Sequence, residues 1–232
     1  MAKKSPTPES VFKEYDKGMA FKTAVNLFDT VRNNENFFIG NQWEGVEANG
    51  LPTPVFNFLK RVTLFQVASI TTDNLKLQAS PMTAAGVPEY AKMASDVVNA
   101  EFESLVEHNN LGGLLREFAR NAAVDGDGCL YTYWNPDVKT GQVTDGAIET
   151  KVIENTRVFF GNANSRFVDE QPYIIISSRE MVDEVRERAG LDEDDARIAP
   201  DTDDRNINSE KLTDDKVTTL LRMWKNKETG TV

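Results

Sequence analysis

The chain has 232 residues, 40% hydrophobic and 27% charged, with a formal net charge of −11. That length supports one full core, or one core with a smaller lobe, and that composition excludes wholesale disorder. No apolar run approaches the roughly 20 residues needed to cross a bilayer, and the polar opening Met1-Ala2-Lys3-Lys4-Ser5-Pro6 lacks an apolar signal core, so the reading is of a protein that stays inside the cell making it.

Residues 1–9 read as a flexible arm ending in a helix start near Pro8 and Ser10. From Phe21, apolar residues at Ala24, Val25, Phe28 and Val31 keep helical spacing and predict a helix to about Asn36. An aromatic cluster, Phe37-Phe38-Ile39-Gly40-Asn41-Gln42-Trp43-Glu44-Gly45, then forms a packed turn broken by two glycines. Thr53 and Pro54 resemble an N-cap and first-turn proline for a helix from Val55 to about Thr72, apolar nearly all round and therefore enclosed by neighbours, although this stretch is rich in strand formers too. Leu75 to Ala79 alternates like a half-buried strand before a loop with Pro81, Gly86 and Pro88.

A helical hairpin follows. Ala91, Ala94, Val98, Phe102 and Leu105 make one stripe; Leu111, Leu114, Leu115, Phe118, Ala119 and Ala122 make another beyond the Asn109-Asn110 break. At Asp125-Gly126-Asp127-Gly128 the period changes from helical to alternating, with Cys129, Tyr131 and Tyr133 on one face and Leu130, Thr132 and Trp134 on the other. Further strands are expected over Ile148–Ile153, Arg157–Phe160, Tyr173–Ser177 and Val217–Trp224, giving a mostly antiparallel sheet. Ser177-Ser178-Arg179-Glu180 reads as a capping box for a helix to Ala189 that Gly190 stops. Residues 180–215 hold 14 acidic and 5 basic side chains, so most of the excess charge is local, in an exposed loop over 191–215. Lys225 to Gly230 reads as a hairpin turn whose return strand is only Thr231-Val232, which points to a fragment. The expected fold class is α+β, with a helical part over 10–127 and a β-rich part over 128–232.

Residues able to run a reaction are scarce. His108 is the lone histidine, so a histidine zinc site, a Ser-His-Asp triad and a Cys-His dyad would all need it; at a helix end it reads as a cap or surface imidazole. Cys129, the single cysteine, excludes an intrachain disulfide, agrees with a reducing compartment and reads as a structural thiol. Asp125-Gly126-Asp127-Gly128 starts like a calcium loop but turns to strand before the remaining donors, so it reads as a sharp helix-to-strand turn. Asp192-Glu193-Asp194-Asp195 and Asp201-Thr202-Asp203-Asp204 could attract a divalent ion, yet Arg197 stands where a calcium loop needs glycine. Gly40 and Gly45 have phosphate-loop spacing, with Val46-Glu47 where Lys and Ser or Thr would be required. No catalytic, metal or cofactor residues are therefore assigned. Lys60, Arg61, Arg116, Arg120, Arg166, Arg179, Arg186 and Arg188 read by default as intersubunit or surface ion pairs, with phosphate contact the sharper alternative.

Three stretches together resemble the portal proteins of tailed bacteriophages: Phe37 to Gly45, then Pro54-Val55-Phe56-Asn57-Phe58-Leu59-Lys60-Arg61, then Ala119 to Trp134. In that family an N-terminal helix leads to a Gly-x-x-Trp turn, a Pro-Val-x-Asn helix start, and later a helix feeding a Gly-x-Gly strand. Trp43, Pro54, Asn57, Gly126 and Gly128 occupy those positions here, and the likeness covers about residues 10–232. It implies a structural ring subunit, usually one of twelve, at the capsid vertex through which double-stranded DNA is packaged and ejected. It also implies partners: copies of itself, the major capsid protein, the terminase large subunit as a separate packaging ATPase, a head-tail adaptor, and the DNA. Neither a membrane nor a cofactor is implied, and the location is the virion, or the host cytoplasm during assembly. Full-length portals continue into stem helices, a clip and a tunnel helix with no counterpart here, so the resemblance is to the wing. The alternative is a nucleic-acid-binding or packaging-accessory module in which Arg116, Arg120, Arg179, Arg186 and Arg188 share a face; a metal-dependent enzyme on the Asp-rich stretch ranks third.

Overall fold

The structure, a computed structural model, describes residues 6–72, 76–81, 88–139, 141, 145–165, 167–192, 195–201 and 215–225. It is an α+β fold with two small antiparallel sheets rather than a single one. The chain forms two compact units. One joins residues 1–35 to 154–232, and the other comprises residues 36–153. Helices and strands do not compact in chain order: the N-terminal helix belongs with the last strands, and the first two strands belong with the central helices.

In the first unit, α1 (Pro8–Ala24) starts where Thr7 accepts the Ser10 N–H at 3.3 Å, with Pro8 opening the first turn. Val11, Tyr15, Met19 and Lys22 recur at helical spacing. They lie along strand β3 (Val158–Phe160), where Met19, Phe159 and Ile175 are 3%, 2% and 0% exposed. The Tyr15 ring meets Phe159 edge-on at 4.8 Å, while the Lys22 ammonium lies 4.3 Å from the same ring and donates to the Asn155 carbonyl. Gly18 permits this approach, since a Cβ there would stand 2.8 Å from Phe159 Cδ1. Strands β3, β4 (Ile174–Met181) and β5 (Lys216–Met223) pair in that order, with Phe159 opposite Ile175 and Ile175 opposite Arg222. Arg222 holds Glu14 of α1 through two bonds at 2.6 and 3.2 Å, so an ion pair joins helix to sheet beside the core.

Two expectations for this unit are corrected. The helix read from Phe21 to Asn36 is interrupted: α1 ends at Ala24, and α2 (Leu27–Ile39) begins after Asn26, whose φ of 54° breaks the helical path. The Asn26 carbonyl then accepts both the Thr30 N–H and its hydroxyl, restarting the helix. The capping-box reading of Ser177 to Glu180 also fails. Those residues extend β4, where Arg179 bonds the Thr218 hydroxyl at 3.0 Å and Glu180 accepts the Thr219 hydroxyl. Helix α6 (Val182–Arg188) starts only after Met181, and it stops as expected at Gly190, φ 65°, with Leu191 N–H reaching back to Arg186 O.

In the second unit, α3 (Phe58–Ile70), α4 (Glu89–His108) and α5 (Leu111–Asp125) precede β1 (Cys129–Asn135) and β2 (Ala147–Ile153), which pair from Cys129 opposite Ile153 to Asn135 opposite Ala147. The α4–α5 hairpin turns at Asn110, φ 48°. Asn109 beside it reaches β2, donating to Ile148 O at 2.9 Å and accepting Thr150 N–H at 2.8 Å. Residues 76–79, expected as part of a strand from Leu75, form none. Ala79 instead bonds both its backbone groups to the Asn99 side chain of α4. The expected hairpin turn beyond Lys225, the initial residues 1–5 of the arm, Arg166 and most of the acidic loop lie outside the described residues.

The glycines give a test. Alanine normally stabilises a helix over glycine, yet Gly18→Ala is expected to destabilise by about 1–3 kcal/mol because Phe159 must move. Gly112→Ala, where a Cβ would meet nothing within 4 Å, is expected to gain up to about 1 kcal/mol. Urea unfolding midpoints of the two variants should therefore shift in opposite directions.

Candidate functional site

Trp43, Pro54 and Asn57 belong to one clasp in the second unit. Asn57 caps α3 by accepting Lys60 N–H at 2.9 Å, and its amide donates to the Phe38 carbonyl at 2.7 Å. The expected cap at Thr53 and Pro54 is thus replaced by Asn57, the helix starts at Phe58 instead of Val55, and Val55 and Phe56 lie outside it. Pro54 serves differently: its carbonyl accepts the Trp43 indole N–H at 3.2 Å. Gly40, φ 93°, lets the chain turn close to Asn57 and Val55, and Glu44 accepts from the Asn36 and Asn41 amides. At the other motif, Gly126 ends α5 with φ 94°. Gly128 then passes so near α5 that a Cβ would stand 2.7 Å from Phe118 Cε2.

The clasp delivers α3 with little cover. Expected to be enclosed, α3 buries only Val67, and it shows Phe58, Val62 and Phe65 to solvent at 69%, 56% and 73% exposure, with Leu59 and Ile70 beside them. On α4 no residue is buried. One of its stripes, Ala91, Asn99, Phe102 and Leu105, is half-buried, while Tyr90, Met93 and Val97 form a second, exposed stripe. Covering these side chains would contribute on the order of 1–3 kcal/mol each. That makes the α3 and α4 faces the strongest candidate for a functional surface.

The basic candidates divide between the units. Lys60 and Arg120 both approach the Phe38 ring, at 5.6 and 4.8 Å from its centroid, and Arg120 also donates to Asn121 Oδ1. Arg61 and Arg116 are exposed. In the first unit Arg179 pairs with Asp201, Arg186 with Asp183 at 3.7 Å and the Ile198 carbonyl at 2.8 Å, and Arg188 with Glu180 at 2.6 Å. These three have acidic partners within the chain.

Among the described residues no three His, Cys, Asp or Glu are grouped to hold a metal ion. His108 is exposed at the end of α4, and Cys129 is half-buried at the start of β1. Asp195, part of the acidic run, is held by Arg197, whose hydrogen bonds bring its pKa down to about 2.

One constellation escaped the sequence reading. Tyr131 and Tyr133 stack at 5.1 Å on one face of β1, and the Tyr133 hydroxyl donates to Glu149 of β2. Asn135 bonds the other Glu149 oxygen at 2.9 Å, and Lys151 stands 3.9 Å away. Tyr133's hydrogen bond, then Asn135's, hold the Glu149 carboxyl below its usual range, while burial first and then the neighbouring Tyr133 push the Tyr131 phenol up. Alternation showed that face on β1, but the partners emerge only from the β1–β2 register. The cluster fastens the two strands.

Compared with known proteins, the chain matches no protein-family model and no curated protein.

Two tests follow from this geometry. Asn57→Ala is expected to cost about 1–2 kcal/mol in unfolding free energy through loss of the cap, whereas Asn57→Asp keeps the cap acceptor, loses the bond to Phe38, and should recover only part. The Glu149 pKa is depressed in the folded state, so its contribution is present above the ordinary carboxylate pKa and is lost as pH falls through the folded value. Tyr133→Phe should therefore lower stability at neutral pH, with the gap from wild type narrowing under acid in thermal melts at successive pH values.

Proposed function

We propose that the chain is a structural subunit whose work is to fit against other proteins. Within that class we infer a portal ring subunit of a tailed bacteriophage, placed at the capsid vertex through which double-stranded DNA is packaged and ejected. The observation that carries the first step is the row of large apolar side chains that α3 and α4 leave exposed, Phe58, Val62 and Phe65 on one and Tyr90, Met93 and Val97 on the other. What supports the second is the order of motifs: Trp43 tied to Pro54, Asn57 capping α3, and Gly126 and Gly128 between α5 and β1.

On this reading the partners are further copies, the major capsid protein, the terminase large subunit and a head-tail adaptor. The nucleic-acid-binding alternative is weakened by the pairing of Arg179, Arg186 and Arg188 with carboxylates, which leaves less cationic surface for phosphate.

Location tests the proposal. An antibody against the chain, applied to particles from the cells that make it, is expected to mark one vertex of each DNA-filled capsid. Marking of every vertex, or of none, overturns the portal reading.

A further inference from the structure

We propose that α3 of one copy of the chain docks on α4 of the next, head to tail, with Arg61 facing the acidic margin of α4 across an apolar seam. The inference rests on the assembly reading above and names the partner of its two open faces as a second copy.

Helical geometry sets the seam. On α3 the side chains of Phe58, Val62, Phe65 and Ser69 fall on the face opposite buried Val67, and Arg61 flanks Phe58 and Phe65. On α4, Met93, Val97 and Ala100 lie opposite the half-buried stripe, with Tyr90 at the near end and Asp96 and Glu103 along one margin. Each is an apolar strip about two turns long, as one helix packed against another requires.

Charge selects the pairing. Helix α3 carries Lys60 and Arg61 and no acid, whereas α4 carries Glu89, Asp96, Glu101, Glu103 and Glu107 against Lys92 alone. Two copies, each with a net charge of −11, repel as wholes, so an acidic helix is drawn to an apolar face that is locally cationic, as α3 is at Arg61. Pairing α3 with α3 would oppose like cations, and pairing α4 with α4 would oppose like anions. Both faces belong to the same compact unit, so every copy presents both halves of the joint. Such a contact is heterologous: each copy added covers one face and leaves another open, until rotation closes the series into a ring.

Sedimentation velocity of the full chain tests this between about 1 and about 100 μM, the range where a contact of this size would register. Wild type should self-associate. Arg61→Glu alone and Asp96→Lys with Glu103→Lys alone should each weaken association about tenfold or more. An equimolar mixture of those two variants, or one chain carrying all three substitutions, should restore it. Phe65→Asp should abolish association with far-UV circular dichroism unchanged, which separates loss of contact from loss of fold.

Arg61→Glu associating as well as or better than wild type, or no restoration in the mixture, overturns the α3–α4 contact. In that case single-vertex labelling would keep the assembly reading standing. A chain that stays monomeric throughout the range overturns the contact too, and if the antibody also marks no vertex, both readings fall together.

Discussion

Water on α3 is the constraint around which the second unit is organised. A helix that hides one valine while Phe58, Val62 and Phe65 stay mostly exposed gains little from its apolar residues as a free surface. The same unit holds that helix firmly at its start, through the Asn57 cap, the Asn57 bond to Phe38 and the Trp43 bond to Pro54. An unfavourable surface is thus presented in a fixed orientation. In the first unit the opposite holds: Phe159 and Ile175 are closed over by α1, β4 and their neighbours, and the core completes itself within the chain. The first unit thus gathers a small buried core, while the second presents an exposed apolar helix.

Small sheets create a second problem, because most of their strands are edges with unpaired backbone groups. The chain answers it with side-chain amides. Asn109 offers a carbonyl and an amide to the outer edge of β2 as a strand residue would. Asn99 does the same for Ala79, and Gln171 closes the loop from Asn162 to Ser165 through three such bonds. At β5, Asp201 takes the strand's place: its N–H bonds Lys216 O, its carboxylate accepts Thr218 N–H, and Arg179 holds that carboxylate in position. Each pairing satisfies backbone groups that another strand would otherwise have to meet.

These substitutions explain where the sequence was readable. The α4 and α5 stripes, the switch of period after Gly126 and the alternation in β1 are repeated local signals, and each marks its element correctly. The β-like alternation at residues 76–79 is equally regular, but Asn99 takes the role of its partner, so no strand forms. Ser177 to Glu180 satisfies a capping pattern and still becomes strand, because Thr218 and Thr219 across the sheet provide better partners than a new helix turn. The break at Asn26 turns on one asparagine adopting positive φ, which composition permits without requiring. The Tyr133–Glu149 cluster and the pairing of α1 with Phe159 join residues far apart in sequence, beyond the reach of any periodicity. The exposed face of α3 was legible as apolar; that the chain itself leaves it bare was not.

Net charge and apolar adhesion act over different distances, and the difference decides what copies of the chain can do. Screening at physiological ionic strength confines electrostatics to about 8 Å, so the repulsion between two acidic chains stays weak until their surfaces nearly meet. Charges meeting at the margin of an apolar seam lie within a few ångströms and are partly shielded from solvent, so their attraction survives that screening better. Salt therefore removes the barrier to approach more than it removes the preference for orientation. On the proposed α3–α4 contact, the acidic residues concentrated over 180–215 would keep copies from sticking indiscriminately, while Arg61 on α3 and Asp96 on α4 would mark where adhesion is permitted.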